Sequence, residues 1–269
     1  MGRVSHLPPQ ALAGLVLLAA VGLAYSTMFP RPAPAAGRPG PAAVEPAPAE
    51  EPAPDPVTAS EPPPKPKPRG HLVVGPGAGR SLVLRTRPGG SVVARLGPRT
   101  EFGSPQTVAV VRKRGPWLGV VTTHLPNGRL GWVDLRAGPL RYSRTPLSLL
   151  LDLSARRLVL RSGNRAVRTM TVGVGRPGSP TPVGRFAVTD KLSGSTYGRY
   201  YGCCILALSA HQPNLPPGWR GGDRIAIHGT NDPASIGAAS SAGCPHARDA
   251  DLRVLMRRVP LGTPVFIRP

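Results

Sequence analysis

Proline limits what this chain can fold into more than any other residue, because it lacks a backbone N–H and interrupts helices and sheets. Of the 36 prolines in 269 residues, fifteen fall between positions 30 and 70, in Pro/Ala/Glu sequence of low complexity. Such a segment cannot bury enough apolar surface to fold, and it favours extended polyproline II. We therefore expect a disordered linker over residues 30–70, with the folded part after it.

The segment before the linker is predicted to take the chain out of the cytoplasm. Residues 11–25 are an uninterrupted apolar run of fifteen, preceded by Arg3. That length suits the apolar region of a secretory signal and is short for a membrane-spanning helix. We predict that residues 1–29 are a signal peptide cleaved after Ser26, or a retained signal-anchor. In either case only this segment meets the membrane, and the rest is expected at the cell wall or anchored facing outward.

The charge of the chain is strongly positive, at +21, and it lies mostly beyond the linker. Residues 71–269 hold 28 Lys and Arg against eight Asp and Glu. Such a surface attracts polyanions, which include nucleic acid, anionic lipid headgroups and the acidic polymers of a bacterial wall. No zinc-finger, RRM or helix-turn-helix pattern accompanies the charge, so we predict no nucleic acid partner and keep anionic wall polymers as candidates.

The pattern beyond residue 70 predicts a mainly β fold in two domains. In residues 71–142, runs such as Leu82–Leu84 and a hairpin around Pro126-Asn127-Gly128 predict five or so short strands in a small barrel. In residues 147–269, further β-type runs precede one amphipathic segment, DADLRVLMRRV. We expect one or two helices here, with Asp249 as the N-cap of this one.

Cys244 and His228 are the residues most suggestive of chemistry, and they lie sixteen positions apart in IAIHGTNDPASIGAASSAGCPH. A thiol is a useful nucleophile as its thiolate, and a nearby imidazole is the usual means of generating one. Gly243 lets the backbone turn its amides inward, as an oxyanion site requires. On spacing alone, an inert core cysteine explains the pattern equally well.

Three motifs in one order make residues 147–268 resemble the YkuD-type L,D-transpeptidases, bacterial enzymes that cross-link peptidoglycan. They are GVGRPGSPTPVGRF (173–186), IHGTNDPASI (227–236) and SAGC (241–244). The resemblance implies a YkuD-like β-sandwich catalytic domain. The LRTRPGG and LGWV segments of residues 71–142 resemble bacterial SH3-like (SH3b) wall-associated modules, which implies an SH3-like β-barrel before the catalytic domain.

The family resemblance also implies roles for single residues. Cys244 would form an acyl-enzyme with a peptidoglycan stem peptide, His228 would carry the protons, and the Gly229 carbonyl would orient the imidazole. The oxyanion would be held by the amides of Ala242, Gly243 and Cys244. Residues expected to contact substrate are Tyr201, Asn231, Ser241 and His246. The resemblance implies no metal and no organic cofactor.

The predicted function is 3→3 cross-linking of stem peptides, or attachment of other acceptors to them. The alternatives are an L,D-carboxypeptidase and a non-catalytic wall-binding protein. The family often reads S-H-G-C-[IV]-[RN], whereas this chain has Ala242 in place of the histidine and Pro245 and His246 after the cysteine. These departures leave efficiency and substrate preference open.

Cys203 and Cys204 are adjacent, and three cysteines in an exported protein leave one free whatever pairs. A disulfide between neighbours is strained and rare, and a zinc site with Cys244 and His246 lacks the usual ligand spacing. We expect one of the two cysteines in a buried strand and the other beside the cleft.

Overall fold

Short β-type runs build the first of two large sheets. The structure, a computed structural model, describes residues 70–269, so the predicted signal segment and linker lie outside the described residues. Leu82 and Leu84 are buried while their neighbours are not, as expected for a strand with one face on a core. The strands are β1 (His71–Pro76), β2 (Leu82–Arg85), β3 (Val92–Leu96), β4 (Val108–Arg114), β5 (Trp117–Val120), β6 (Gly131–Asp134) and β7 (Leu140–Thr145).

The first sheet has the strand order β3-β2-β6-β5-β4-β1-β7, and its adjacent strands are antiparallel. The predicted hairpin is confirmed, because β5 pairs with β6 across the turn at residues 126–128. Seven strands form rather than the five or so predicted. The SH3-like assignment of this sheet stays a prediction.

The second sheet carries the predicted chemistry. Its strands are β8 (Leu147–Asp152), β9 (Arg157–Ser162), β10 (Arg165–Thr171), β12 (Gly184–Ser193), β13 (Cys204–His211), β14 (Arg224–His228) and β16 (Pro264–Arg268). Their order is β10-β9-β8-β16-β12-β13-β14, which leaves β14 at one edge. Only β16 and β8 pair in parallel. A separate two-stranded piece joins β11 (Val174–Gly175) in parallel to β15 (Ala239–Ser241).

The predicted helix is confirmed as α1 (Asp249–Arg258), the only α-helix within residues 70–269. Leu252 and Leu255 are fully buried where α1 packs against β13. The predicted cap is wrong: Arg248 is the N-cap, and Asp249 is the first helical residue. The Asp249 carboxylate instead accepts a hydrogen bond from the backbone N of Cys203. No helix of residues 70–269 is both long and apolar enough to cross a membrane.

Only Pro146 separates the last strand of the first sheet from the first strand of the second. The sheets touch through a small apolar cluster formed by Ala109, Val121 and Ala187. The Asn127 side chain also makes two hydrogen bonds to the backbone of His211, donating to its O at 2.7 Å and accepting from its N at 2.9 Å. The two sheets are therefore in direct contact.

Candidate active site

His228 is the last residue of the edge strand β14. His228 is 1% exposed, and its Nδ1 lies 2.5 Å from the carbonyl oxygen of Gly229. Since a carbonyl can only accept, Nδ1 carries the proton and Nε2 keeps a lone pair. The imidazole is thus held in a tautomer that can take up a proton at Nε2, and the Gly229 carbonyl makes the contact predicted for it.

Gly229 has no space for a side chain. A Cβ atom here would overlap the Asp249 carboxylate and would lie 2.8 Å from the Cα of Gly202. The backbone N of Gly229 donates to the carbonyl of Cys204 at 3.1 Å. This close packing fixes the carbonyl that holds the His228 ring.

Residues 241–247, which we call the cysteine loop, run along the outer edge of β14. The backbone N of His228 donates to the carbonyl of Pro245 at 3.1 Å, and the N of Ala247 donates to the carbonyl of His228 at 2.9 Å. His246 bonds on its other side to Gly173, through N–H···O contacts of 2.8 and 3.0 Å. The loop therefore extends the sheet by one short parallel bridge.

The thiol of Cys244 lies against the backbone of the same strand. Its Sγ is 3.4 Å from the N of Ala226 and 3.8 Å from the carbonyl oxygen of Arg224. Pro245 has no backbone N–H that could donate to a carbonyl of β14. The Arg224 carbonyl of that strand is contacted by the Cys244 thiol instead. The departure from the family pattern at residue 245 is thus compatible with the pairing.

Both predicted reactive groups are neutral at pH 7. Burial raises the pKa of the Cys244 thiol to about 11, and the hydrogen bond from the Ala226 backbone offsets only part of this. Burial lowers the pKa of His228 to about 4; the charge of His246 lowers it further, and the bond to Gly229 opposes both. The arrangement therefore fits base-assisted attack by a thiol better than a preformed thiolate–imidazolium pair.

Thr181 of the TPVG segment fastens the cysteine loop from the opposite side. Its buried hydroxyl donates to the carbonyl of Gly243 at 2.7 Å and accepts from the backbone N of Gly175 at 2.9 Å. Gly243 has φ +125°, and a Cβ there would overlap the Gln212 amide. The glycine before the cysteine is thus required by both backbone angle and space.

Gln212 is a site residue that the sequence reasoning missed. It is buried just after β13, and its Nε2 donates to the carbonyls of Ala242 and Pro180, both at 3.0 Å. The backbone N of Asn214 donates to its Oε1 at 3.0 Å. The only available signal was a polar residue directly after an apolar β run, and no local pattern says that it reaches residue 242.

Two of the three predicted oxyanion donors keep their amides available. The N of Gly243 donates to the Ser241 hydroxyl at 3.1 Å, so this amide is already used. Within residues 70–269, the amides of Ala242 and Cys244 make no hydrogen bond. Ser241 therefore bonds local backbone, and the oxyanion role fits Ala242 and Cys244.

His246 is a buried neighbour of His228 rather than an exposed group. The two ring centroids are 4.8 Å apart, and the ring nitrogens of His246 lie 3.0 Å from the Ser235 hydroxyl and 3.3 Å from the Tyr200 hydroxyl. Burial lowers the pKa of His246, against a raising effect from Asp232. Both ring nitrogens of His246 therefore already face hydroxyl groups of the protein.

The thiol opens onto a cavity of about 270 Å³, which we call the thiol cleft. Cys244, His228 and Tyr201 line it together, and the Tyr201 ring lies 4.8 Å from the His228 ring. Asn231 is exposed and lines neither the thiol cleft nor the neighbouring groove that Arg176 and His246 line. The structure thus groups Tyr201 with the reactive pair and leaves Asn231 apart. No group of His, Cys, Asp or Glu in the described residues could hold a metal ion.

Cys203 and Cys204 form a disulfide bond with each other, although such bonds between neighbours are rare. Cys204 is buried in a strand, as expected for one of the two, whereas Cys203 does not line the thiol cleft. Cys203 directly follows Gly202, which has φ +58°, and Cys204 is the first residue of β13. Side chains alternate within a strand, but at this turn two neighbours can approach each other. Cys244 is the free cysteine among the described residues.

Comparison with known proteins assigns the part of the chain that holds these residues. Residues 147–267 match the family model of the L,D-transpeptidase catalytic domain, YkuD. The protein named L,D-transpeptidase YkuD in Bacillus subtilis (strain 168) is 33% identical over 45% of this chain and 66% of its own length. Its namesake in Bacillus licheniformis is 33% identical over 46% of this chain and 67% of its own. The L,D-transpeptidase YbiS of Escherichia coli (strain K12) is 32% identical over 38% of each.

The chain spans about two thirds of the length of the two Bacillus relatives, and the matched part holds the cysteine loop, the His228–Gly229 contact and Thr181. Through this part, the chain belongs to the L,D-transpeptidase family.

Proposed function

We propose that the chain is an exported L,D-transpeptidase that forms 3→3 cross-links between peptidoglycan stem peptides through an acyl-enzyme at Cys244. One observation carries the proposal: the free thiol and an imidazole fixed with an open Nε2 line the same cleft at one strand edge. Membership of the family supports the reaction class. The relatives are named as L,D-transpeptidases, and these names support an L,D-peptide bond as the bond that is attacked.

In the proposed first step, the Cys244 sulfur attacks the carbonyl carbon of the bond between diaminopimelate and D-alanine. The thiol proton passes to Nε2 of His228 as the S–C bond forms, so no free thiolate is needed beforehand. The amides of Ala242 and Cys244 would stabilise the tetrahedral oxyanion. The C–N bond then breaks, and D-alanine leaves with the proton that His228 held.

In the second step, the side-chain amine of a neighbouring stem peptide attacks the thioester. Its proton moves to His228, the C–S bond breaks, and the proton returns to the departing sulfur. The Gly229 carbonyl stabilises the imidazolium in both steps because it accepts the Nδ1–H. The enzyme thus regains its neutral thiol and imidazole.

The proposed place of action is outside the cytoplasmic membrane. The apolar run of residues 11–25 and the proline-rich segment after it support a signal or anchor followed by a spacer. The excess of Arg and Lys supports contact with anionic wall polymers, and the β region of residues 71–142 would be an SH3-like wall-associated module.

Acylation by a carbapenem, which labels active family members at the cysteine, tests the proposal directly. Mass spectrometry of the full chain should show one adduct, and Cys244→Ala should show none. A variant with both Cys203→Ala and Cys204→Ala should keep the adduct, which assigns the label to residue 244. A wild-type chain that stays unlabelled would support the non-catalytic alternative instead.

Product analysis separates the transpeptidase from the hydrolase. Wild-type protein incubated with disaccharide-tetrapeptides should give 3→3 dimers, and Cys244→Ala should give none. Trimmed tripeptides without dimers would show an L,D-carboxypeptidase and overturn the proposed cross-linking.

A further inference from the structure

A loop of the first sheet reaches the thiol cleft of the second. This loop, residues 99–105, closes on itself through backbone bonds from Thr100 to Ser104 and from Gly103 to Thr100. The Thr100 hydroxyl donates to the fully buried carboxylate of Asp190 on β12. Because the loop is bound at its base to the second sheet, its tip has a fixed position.

The next residue strengthens the attachment. The Glu101 carboxylate pairs with the guanidinium of Arg224, which also donates to the Thr189 hydroxyl at 2.8 Å and the Leu208 carbonyl at 3.1 Å. The carbonyl of the same Arg224 contacts the Cys244 thiol. One arginine thus links the loop of the first sheet to the strand against which the thiol lies.

Phe102, at the tip of this loop, lines the thiol cleft together with Cys244 and His228. Its ring meets the Tyr197 ring edge-on at 6.1 Å, and the Arg224 guanidinium lies 5.7 Å from its centroid. Tyr197 in turn lies 6.5 Å from Tyr201, which contacts His228. A row of aromatic rings therefore leads from the first sheet to the predicted base.

The thiol cleft is lined mainly by apolar side chains, and its two charged lining residues, Asp223 and Arg224, each have a side-chain partner. Arg224 is bound to Glu101, and the Asp223 carboxylate lies 2.9 Å from Nδ1 of His211. Four of the eight exposed large apolar side chains of the described residues line this one cleft: Tyr197, Tyr200, Leu215 and Trp219. Apolar side chains gathered at one exposed place indicate a ligand-binding groove.

We propose that Phe102 is a specificity-determining residue that contacts the disaccharide end of the peptidoglycan donor, a proposal that rests on the proposed function. The stem peptide carries carboxylates and an amine, whereas the N-acetylglucosaminyl-N-acetylmuramoyl unit is uncharged when its lactyl group is amidated. An aromatic surface without free charge fits the C–H faces and acetyl methyls of the uncharged sugars, and not the charged stem. The first sheet then completes the substrate site in the same chain.

The test compares two donors that differ only in the disaccharide: the free tetrapeptide and the disaccharide-tetrapeptide. In the full chain, Phe102→Ala and Phe102→Leu should raise the KM of the disaccharide donor about 3- to 10-fold. Phe102→Tyr, which keeps an aromatic ring, should leave this KM close to the wild-type value. The kcat, and both constants for the free tetrapeptide, should stay within about twofold of wild type. Tyr142→Ala removes an exposed ring outside the cleft and should change neither donor.

Equal effects on both donors, or no effect on either, would overturn the proposal. A binding arm separates this from failure of the proposed function: Kd values are measured by calorimetry in a Cys244→Ala background. If wild type turns over neither donor, the transpeptidase proposal fails, and binding alone decides the role of Phe102. Tighter binding of the saccharide-bearing donor that Phe102→Ala abolishes would support the subsite, and equal binding of the two donors would refute it.

Discussion

At the scale of single residues, burial decides how the predicted pair could react. His228 and Cys244 lie close to the protein interior, and both shifts favour the neutral form: downward for the imidazole pKa, upward for the thiol pKa. The sequence predicted which residues form the pair, but not this protonation state. Both pKa shifts arise mainly from burial, and burial depends on which side chains pack around a group. The rings of His246 and Tyr201 lie next to His228 but come from separate segments of the chain, so no local pattern predicts them there.

The low pKa of His228 predicts activity that persists into acid. Protonation removes the base, so the acid limb of the acylation rate should fall near the His228 pKa of about 4 rather than near 6.5. His246→Asn removes a ring whose positive charge lowers that pKa, so the limb should move to higher pH. Single-turnover carbapenem acylation from pH 3 to 8 measures both. A limb that stays in place or moves to lower pH in His246→Asn would contradict the assignment.

At the scale of elements, the strand and helix predictions from periodicity were largely right, and contacts between elements were missed. Short β-type runs bounded by turn residues predicted β2 and the hairpin of β5 and β6, and an amphipathic run predicted α1. The pairing of the cysteine loop with β14 lies outside such patterns, because it joins residues far apart in sequence through backbone groups that every residue carries. The same holds for Gln212, whose two acceptors lie some thirty positions away.

The TPVG segment is predicted to act on the reaction only by holding the cysteine loop. Thr181→Val removes a hydroxyl that serves Gly243 and Gly175, so the carbonyl before Cys244 loses its donor. We expect acylation to slow by about 10- to 100-fold, since small displacements of a reacting group cost that much. Stability should fall by only about 1–2 kcal/mol. Thr181→Ser keeps the hydroxyl and should retain most of the rate; an equal loss in both variants would show that the methyl matters instead.

At the scale of the whole molecule, residues 70–269 belong to one compact unit in which the two sheets share contacts. The strand patterns and the two resemblances predicted two domains but not how the domains would meet. The apolar cluster around Ala187, the Asn127–His211 pair and the Thr100–Asp190 bond join the two sheets. None of these contacts has a local sequence pattern, because each depends on how one folded sheet faces the other.

A substitution at Gly262 tests the contact between the two sheets. Gly262 has φ +79°, and a Cβ there would overlap the Val73 side chain of the first sheet. Gly89 has a similar φ of +71° with nothing within 4 Å, so Gly89→Ala measures the backbone strain alone. Gly262→Ala should lose about 1–3 kcal/mol more than Gly89→Ala in urea unfolding. Equal losses would argue against close docking at this point.

Joint unfolding is the second expectation at this scale. Calorimetry of the wild-type chain should show one transition, because both sheets lose their shared contacts together. Asn127→Ala, which leaves two backbone groups of His211 without partners, should lower its midpoint. Two well-separated transitions in the wild type would show that the sheets are independent.

The pairing of residues 245–247 with β14 has a consequence for solubility. A strand at the border of a sheet exposes unpaired N–H and C=O groups, and another chain can add to them. In this protein the segment that holds Cys244 covers that border, so the proposed catalysis and protection from intermolecular strand addition depend on the same few hydrogen bonds. A substitution that detaches the segment would open Arg224–His228 to self-association, and aggregation would accompany the loss of activity.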